Sequence, residues 1–236
     1  MPRRLIQLSA GLVLYGISDA MLLLAGLGVD PWDGLHQGLA RRTGVPTGTW
    51  SIIVGAVVLI GWIPLRQRPG LGTLCNVVLI GAVIDVLLAT VAPPHSLPVR
   101  AAVMVSGVAL NGLATGLYIG AGLGPGPRDG LMTAFAARGH SLRAVRTVIE
   151  AAVLLAGWLL GGTVGVGTVL YAVCIGPLAQ VFVPLFSGPP TSRAPATRPG
   201  VGVRCRASCP CRAPGTPRSR QGAGRRAVRS RRSAAR

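Results

Sequence analysis

GLGVDPWDGLHQGLARR, Gly26–Arg42, returns in altered form as GLGPGPRDGLMTAFAAR, Gly122–Arg138. Gly26, Leu27, Gly28, Pro31, Asp33, Gly34, Leu35, Ala40 and Arg42 recur ninety-six positions later as Gly122, Leu123, Gly124, Pro127, Asp129, Gly130, Leu131, Ala136 and Arg138. The likeness runs on. Ile53, Ala56, Val57, Leu59, Gly61 and Trp62 meet Ile149, Ala152, Val153, Leu155, Gly157 and Trp158. After the loss of one residue, Gly70, Gly72, Thr73, Val78, Ile80 and Gly81 meet Gly165, Gly167, Thr168, Val173, Ile175 and Gly176. A repeat of this length sets the architecture before any single residue is interpreted.

Around the repeated string the chain is apolar. Half of its 236 residues are hydrophobic, 13% are charged, and the mean hydropathy is +0.55, far from the roughly 25% charged residues of soluble domains. This is the composition of a membrane protein. A bilayer core about 30 Å thick takes around 20 residues of helix. Six segments reach that scale: Leu5–Leu27, Thr49–Leu65, Leu71–Ala92, Val99–Leu123, Thr147–Val164 and Gly167–Phe186. MPRR before the first of them resembles a signal-peptide start, but Gly16 and Gly26 have counterparts in Gly112 and Gly122, which makes the first segment half of a structural pair.

Asp30–Arg42 is too short to cross. Its start is well marked: Asp30 at the N-cap, Pro31 at the first helical position, and Asp33 where a carboxylate meets free backbone donors. Gly126, Pro127 and Asp129 repeat the pattern. Trp32, Leu35 and Leu39 fall near one face, with Gln37, Arg41 and Arg42 elsewhere, as in a helix that lies at the interface or re-enters the protein. Three crossings per copy is an odd number, so the second copy enters from the opposite side. The expectation is an all-α membrane protein of about six transmembrane helices in two inverted three-helix repeats, at about 5–92 and 99–186, each with a short interfacial or re-entrant helix.

Arginine placement agrees with that topology except at Arg41 and Arg42. Those two would fit if the short helix crossed after all, giving four crossings per copy and a parallel pair, an option its length makes the weaker. With the N-terminus inside, cytoplasmic segments hold Arg3, Arg4, Arg66, Arg68, Arg128, Arg138, Arg143 and Arg146, and outer segments hold Arg41, Arg42 and Arg100. Both termini are expected on the cytoplasmic side. The chain has no lysine, and more than half of its arginines follow residue 187, so the formal charge of +18 belongs mostly to a tail. Residues 1–187 form the polytopic membrane domain. Residues 188–236, built of Arg, Pro, Gly, Ala and Ser, cannot bury enough surface to order themselves. Next to a membrane, each arginine there is worth about 1 kcal/mol against anionic headgroups. Lipid, rather than nucleic acid, is the expected partner of that charge.

The groups able to carry function are the acids and amides inside or beside the apolar segments, where ionisable side chains are costly. Asp33 and Asp129 stand out because they are repeated; capping explains them, and so does a solute site formed by two short helices near a pseudo-two-fold axis. Asp19 and Asp85 sit within the first and third long segments, with Asn76 and Asn111 as neutral companions. These six residues are the candidate solute or ion site. Glu150 lies one turn after Arg146, at ion-pair spacing. Gly112, Gly116 and Gly120 form a small-residue stripe for close helix packing. Cys75 and Cys174 read as small buried hydrophobes. The three thiols of Cys205, Cys209 and Cys211 lack the fourth ligand of a zinc site. His36, His95 and His140 match no catalytic or metal spacing and read as surface histidines. No enzyme, metal or cofactor is expected.

PWDGLHQGL, GTWSIIVG and WIPLRQRPGLGT, within Gly26–Asp85, resemble the YczE/YitT-like bacterial integral membrane proteins, most closely the YczE branch. The resemblance extends to about Val183 and leaves out the tail. It implies a multi-pass protein of the bacterial cytoplasmic membrane, and it brings no agreed binding or catalytic residues. The leading functional expectation is a transporter of a small solute or ion. The alternative is a non-transporting membrane factor that assists or regulates a partner enzyme or secretion system.

Overall fold

The computed structural model describes residues 2–139 and 141–187, and within them the secondary structure is entirely helical. The helices are α1 (Pro2–Ala25), α2 (Pro31–Thr43), α3 (Thr47–Trp62), α4 (Leu71–Thr90), α5 (Leu97–Gly120), α6 (Pro127–Ala136), α7 (Leu142–Leu159) and α8 (Val166–Phe186). All six expected long segments are helices, and the two short helices begin at the Pro31 and Pro127 sites. Four helices, α1, α4, α5 and α8, are long and apolar enough to cross a membrane; α2 and α3, bent at 116°, make a fifth if taken as one broken span. At 16 residues α3 is short, and α7 carries Arg143, Arg146 and Glu150 within its 18 residues. The expected tail, including Cys205, Cys209 and Cys211, lies outside the described residues, as does His140.

At the centre, α1 and α5 pack antiparallel. Gly11 of α1 abuts Tyr118 of α5, Ser18 and Asp19 meet Asn111, Gly107 meets Leu22, and Arg100 reaches Ala25 and Gly26. The numbers rise on one helix as they fall on the other. In lipid the hydrophobic effect gives no preference for helix over tail, so close fit must hold the helices together. The glycines supply it. A Cβ on Gly16 would lie 2.8 Å from Val83 of α4, and one on the matching Gly112 would lie 2.6 Å from the matching Leu178 of α8. Gly116 and Gly120 meet Phe182 and Phe186 in the same way, so the stripe on α5 is the seat of α8. Cys75 and Cys174 are half-buried free thiols against the core.

The two copies also interlock at their turns. Gly28 and Gly124 take φ of 125° and 131°, a region that glycine alone enters freely. Gly28 is pressed against Gly165 and Thr168 at the start of α8, and Gly124 against Gly70 and Thr73 at the start of α4. The bonds are reciprocal: Gly167 donates to Leu27 O at 3.0 Å, and Gly72 donates to Leu123 O at 3.1 Å. Each copy's glycine turn is therefore built on the other copy's last helix.

The third helices break this correspondence. α3 lies along α4, with Gly48 against Gly81, and Asp85 accepts from Gly48 N at 2.6 Å and Thr49 Oγ1 at 2.7 Å. α7 instead packs on α2 and stands away from α8. Gly176, the counterpart of Gly81, has no atom within 4 Å of where its Cβ would be.

Candidate functional site

Asp30 starts α2 as its sequence predicts: Oδ1 accepts from Asp33 N at 2.5 Å, which satisfies one of the helix's free donors. Its other oxygen is left for a partner. That partner comes from the second copy, where Arg128 Nη1 donates to Asp30 Oδ2 at 3.0 Å and Nη2 lies 3.7 Å from Asp33 Oδ1. The same guanidinium sits 5.1 Å from the Trp32 ring centroid, within the range of a cation–π contact. The beginnings of α2 and α6 are thereby drawn together.

One turn along α2, His36 Nδ1 lies 3.4 Å from Asp33 Oδ1. Asp33 and His36 are 0% and 1% exposed, and among the described residues neither imidazole nitrogen nor either Asp33 oxygen has a hydrogen-bond partner. His36 is therefore buried, contrary to the surface histidine that the sequence suggested. The apolar face of α2 is likewise displaced: Trp32, Asp33, Gly34, His36 and Gly38 are buried, while Leu35 and Leu39 are half-buried. His95 is exposed as expected.

The other candidates divide. Asp129 accepts from the Tyr118 hydroxyl at 2.9 Å, and Tyr118 stands edge-on to Tyr15 at 5.8 Å. Asn111 joins α1, α5 and α8: its amide nitrogen donates to Ser18 Oγ and Asp19 Oδ1 at 2.8 and 2.9 Å, and its oxygen accepts from Tyr171 at 3.2 Å. Asp19 Oδ2 has no hydrogen-bond partner among the described residues. A cavity of about 250 Å³ connects Asp30, His36, Arg128, Asp129 and Asn76 and reaches Arg146 and Glu150 on α7 and Gly176 on α8. Arg146 and Glu150 form the expected i,i+4 pair at 2.8 Å. Asp85 is not among the residues that line the cavity; both its oxygens are engaged in holding the start of α3.

Repetition does not mark Arg128 or His36 as site residues: Arg128 aligns with Trp32, and His36 aligns with Met132. The sequence alone places Arg128 among the cytoplasmic loop charges; in the structure its side chain is 23% exposed and paired to α2. The signal available was the proline spacing, which places Arg128 one residue inside the same helix start as Trp32.

The cluster is electrostatically lopsided. Asp30 and Asp33 face one guanidinium, and Asp19 lies within electrostatic reach. At an effective dielectric near 20, opposite charges 4 Å apart attract by about 4 kcal/mol gross, and repulsion between the neighbouring carboxylates at similar range offsets part of what the arginine supplies. Helix N-termini add partial positive charge, which Asp30, Asp33 and Asp129 already meet. The remaining demand is for a proton or another positive group.

Comparison with known proteins supplies the family. The chain belongs to DUF6198, a family of unknown function whose profile matches residues 2–184. An uncharacterized protein of Haemophilus influenzae is 42% identical over 173 residues, covering 73% of this chain and 79% of the relative. The uncharacterized membrane protein YczE of Bacillus subtilis is 38% identical over 183 residues, covering 74% and 83%. The uncharacterized protein YyaS of the same organism is 29% identical over 182 residues, covering 74% and 90%. No solved structure matches. The likeness to the YczE branch read from PWDGLHQGL and its neighbours is thus shown, and with it a membrane protein.

Proposed function

We propose that this DUF6198 member is a non-enzymatic secondary transporter that moves a small solute or ion across the bacterial cytoplasmic membrane through the cavity between α2 and α6. The single observation that carries the reading is the unequal state of the two copies around that cavity: α3 is closed on α4, and α7 is parted from α8. In transporters built from inverted repeats, the site lies at the repeat interface and access alternates as one part rocks against the other. One copy shut and the other open is the form expected of a single end state.

The antiparallel pairing of α1 with α5 supports inversion. These helices occupy equivalent places in the repeat, so an odd number of crossings separates them. α1 and α4 account for two, and α3 supplies the third. With α7 as its counterpart, the count is three per copy, which puts both ends on one side of the membrane, and the arginine bias makes that side the cytoplasm.

Reconstituted wild-type protein would be screened with solute pools by thermal shift, and each hit followed by counterflow in proteoliposomes. Saturable counterflow that disappears in Asp129→Asn, with the variant still folded, is the expected result. Hits that bind without any flux would overturn the reading.

A further inference from the structure

Asp33 and His36 do more than cap and fill. Asp33 is fully buried one turn before His36 on the same face of α2, and neither side chain has a hydrogen-bond partner among the described residues. A carboxylate buried away from hydrogen-bond donors is strongly destabilised unless its charge is met. Arg128 meets it in part, at 3.7 Å from Oδ1, but its short contact at 3.0 Å goes to Asp30. His36, unlike Asp33, also lines the cavity, so the pair has one member facing the open space and one behind it.

We propose that Asp33 and His36 form a proton-binding site that communicates with the cavity, and that the proton is the coupling ion of the transport reading above, on which this inference rests. A proton from water in the cavity adds to His36. The resulting imidazolium donates to Asp33 Oδ1, 3.4 Å away. The pair thereby gains one positive charge, and Asp33 no longer competes with Asp30 for Arg128.

A metal ion fits poorly. Hard divalent cations take six or more oxygen ligands, and among the described residues no three His, Cys, Asp or Glu side chains are placed to hold one. Other charges facing the pair are Arg128 on α6, Asp30 on α2 and Asp19 on α1. Asp129, held by Tyr118, and the Arg146–Glu150 pair lie elsewhere on the cavity wall.

The test uses the full chain in lipid nanodiscs and needs no solute. With 15N-labelled histidine the three histidines give three sets of signals, and His36→Gln assigns one of them. The His36 signals are expected to titrate in the wild type, and the midpoint should fall by about one pH unit or more in Asp33→Asn, which removes the anion within 4–6 Å. Counting protons taken up in weakly buffered solution should give one fewer for His36→Gln, a check that stands even if Asp33→Asn does not fold. A His36 signal that stays constant throughout the folded range, or an unchanged proton count in His36→Gln, would overturn the proposal. Counterflow without proton binding would leave transport standing and refute the proton site; proton binding without counterflow would leave the proton site standing and refute transport.

Discussion

Arg128 stacks on Trp32, its guanidinium carbon 5.1 Å from the ring centroid, and the two residues hold the same place in the repeated sequence. Equivalent positions that touch one another lie at the junction of the copies. Two arginines there would repel, whereas an arginine on a tryptophan attracts, so the junction is where a duplicated sequence gains by diverging.

Removing one end of the tie between copies should cost more than removing both. Arg128→Ala leaves Asp30, 5% exposed in its side chain, without its cation, a change worth about 3–5 kcal/mol for a buried pair and less here because Arg128 is partly exposed. Thermal unfolding in detergent should show a clear loss for Arg128→Ala and a smaller one for Arg128→Gln with Asp30→Asn. Equal losses would mean the pair is not coupled.

Much of this arrangement was legible in the sequence. Apolar length located the six long helices and the repeated Pro-x-Asp-Gly starts the two short ones, and Asp30-Pro31 marked the start of α2 because capping chemistry is local. Arg128 and the role of Asp85 were not legible because each depends on a partner from another helix, and the burial of His36 was not because it depends on how α2 packs. A repeat also makes its copies look alike; the difference between α3 on α4 and α7 off α8 arises from packing, which matching letters do not encode.

Glycine substitutions should expose that difference. A Cβ at Gly48 would collide with Gly81 O and Asp85, and one at Gly81 with Ile52. Gly48→Ala and Gly81→Ala should each destabilise by about 1–3 kcal/mol through overpacking. Gly176→Ala meets nothing within 4 Å and should be neutral or stabilising by up to about 1 kcal/mol from helix propensity. Melting temperatures of the three variants check the order.

Asp85 should behave as a latch. Asp85→Ala leaves Gly48 N and Thr49 Oγ1 without their acceptor, at a cost of about 1–3 kcal/mol. Hydrogen exchange should rise at the start of α3 and remain unchanged in α7. Uniform exchange along both helices would remove the latch from the account.

Topology can be read between α4 and α5. A reporter fused at Pro94 should act outside, because three crossings precede it when the N-terminus is cytoplasmic. Cytoplasmic reporter activity at that site would contradict three crossings per copy.

The most direct measurement of alternating access is a pair of distances in lipid. With the native cysteines replaced, spin labels at the exposed Leu155 and Val173 would report α7 against α8, and labels at the exposed Val57 and Val78 would report α3 against α4. Each pair should show two distance populations, close and parted, and changing pH should shift their weights in opposite directions. One fixed distance for each pair at every pH would contradict a transporter that alternates between its two copies.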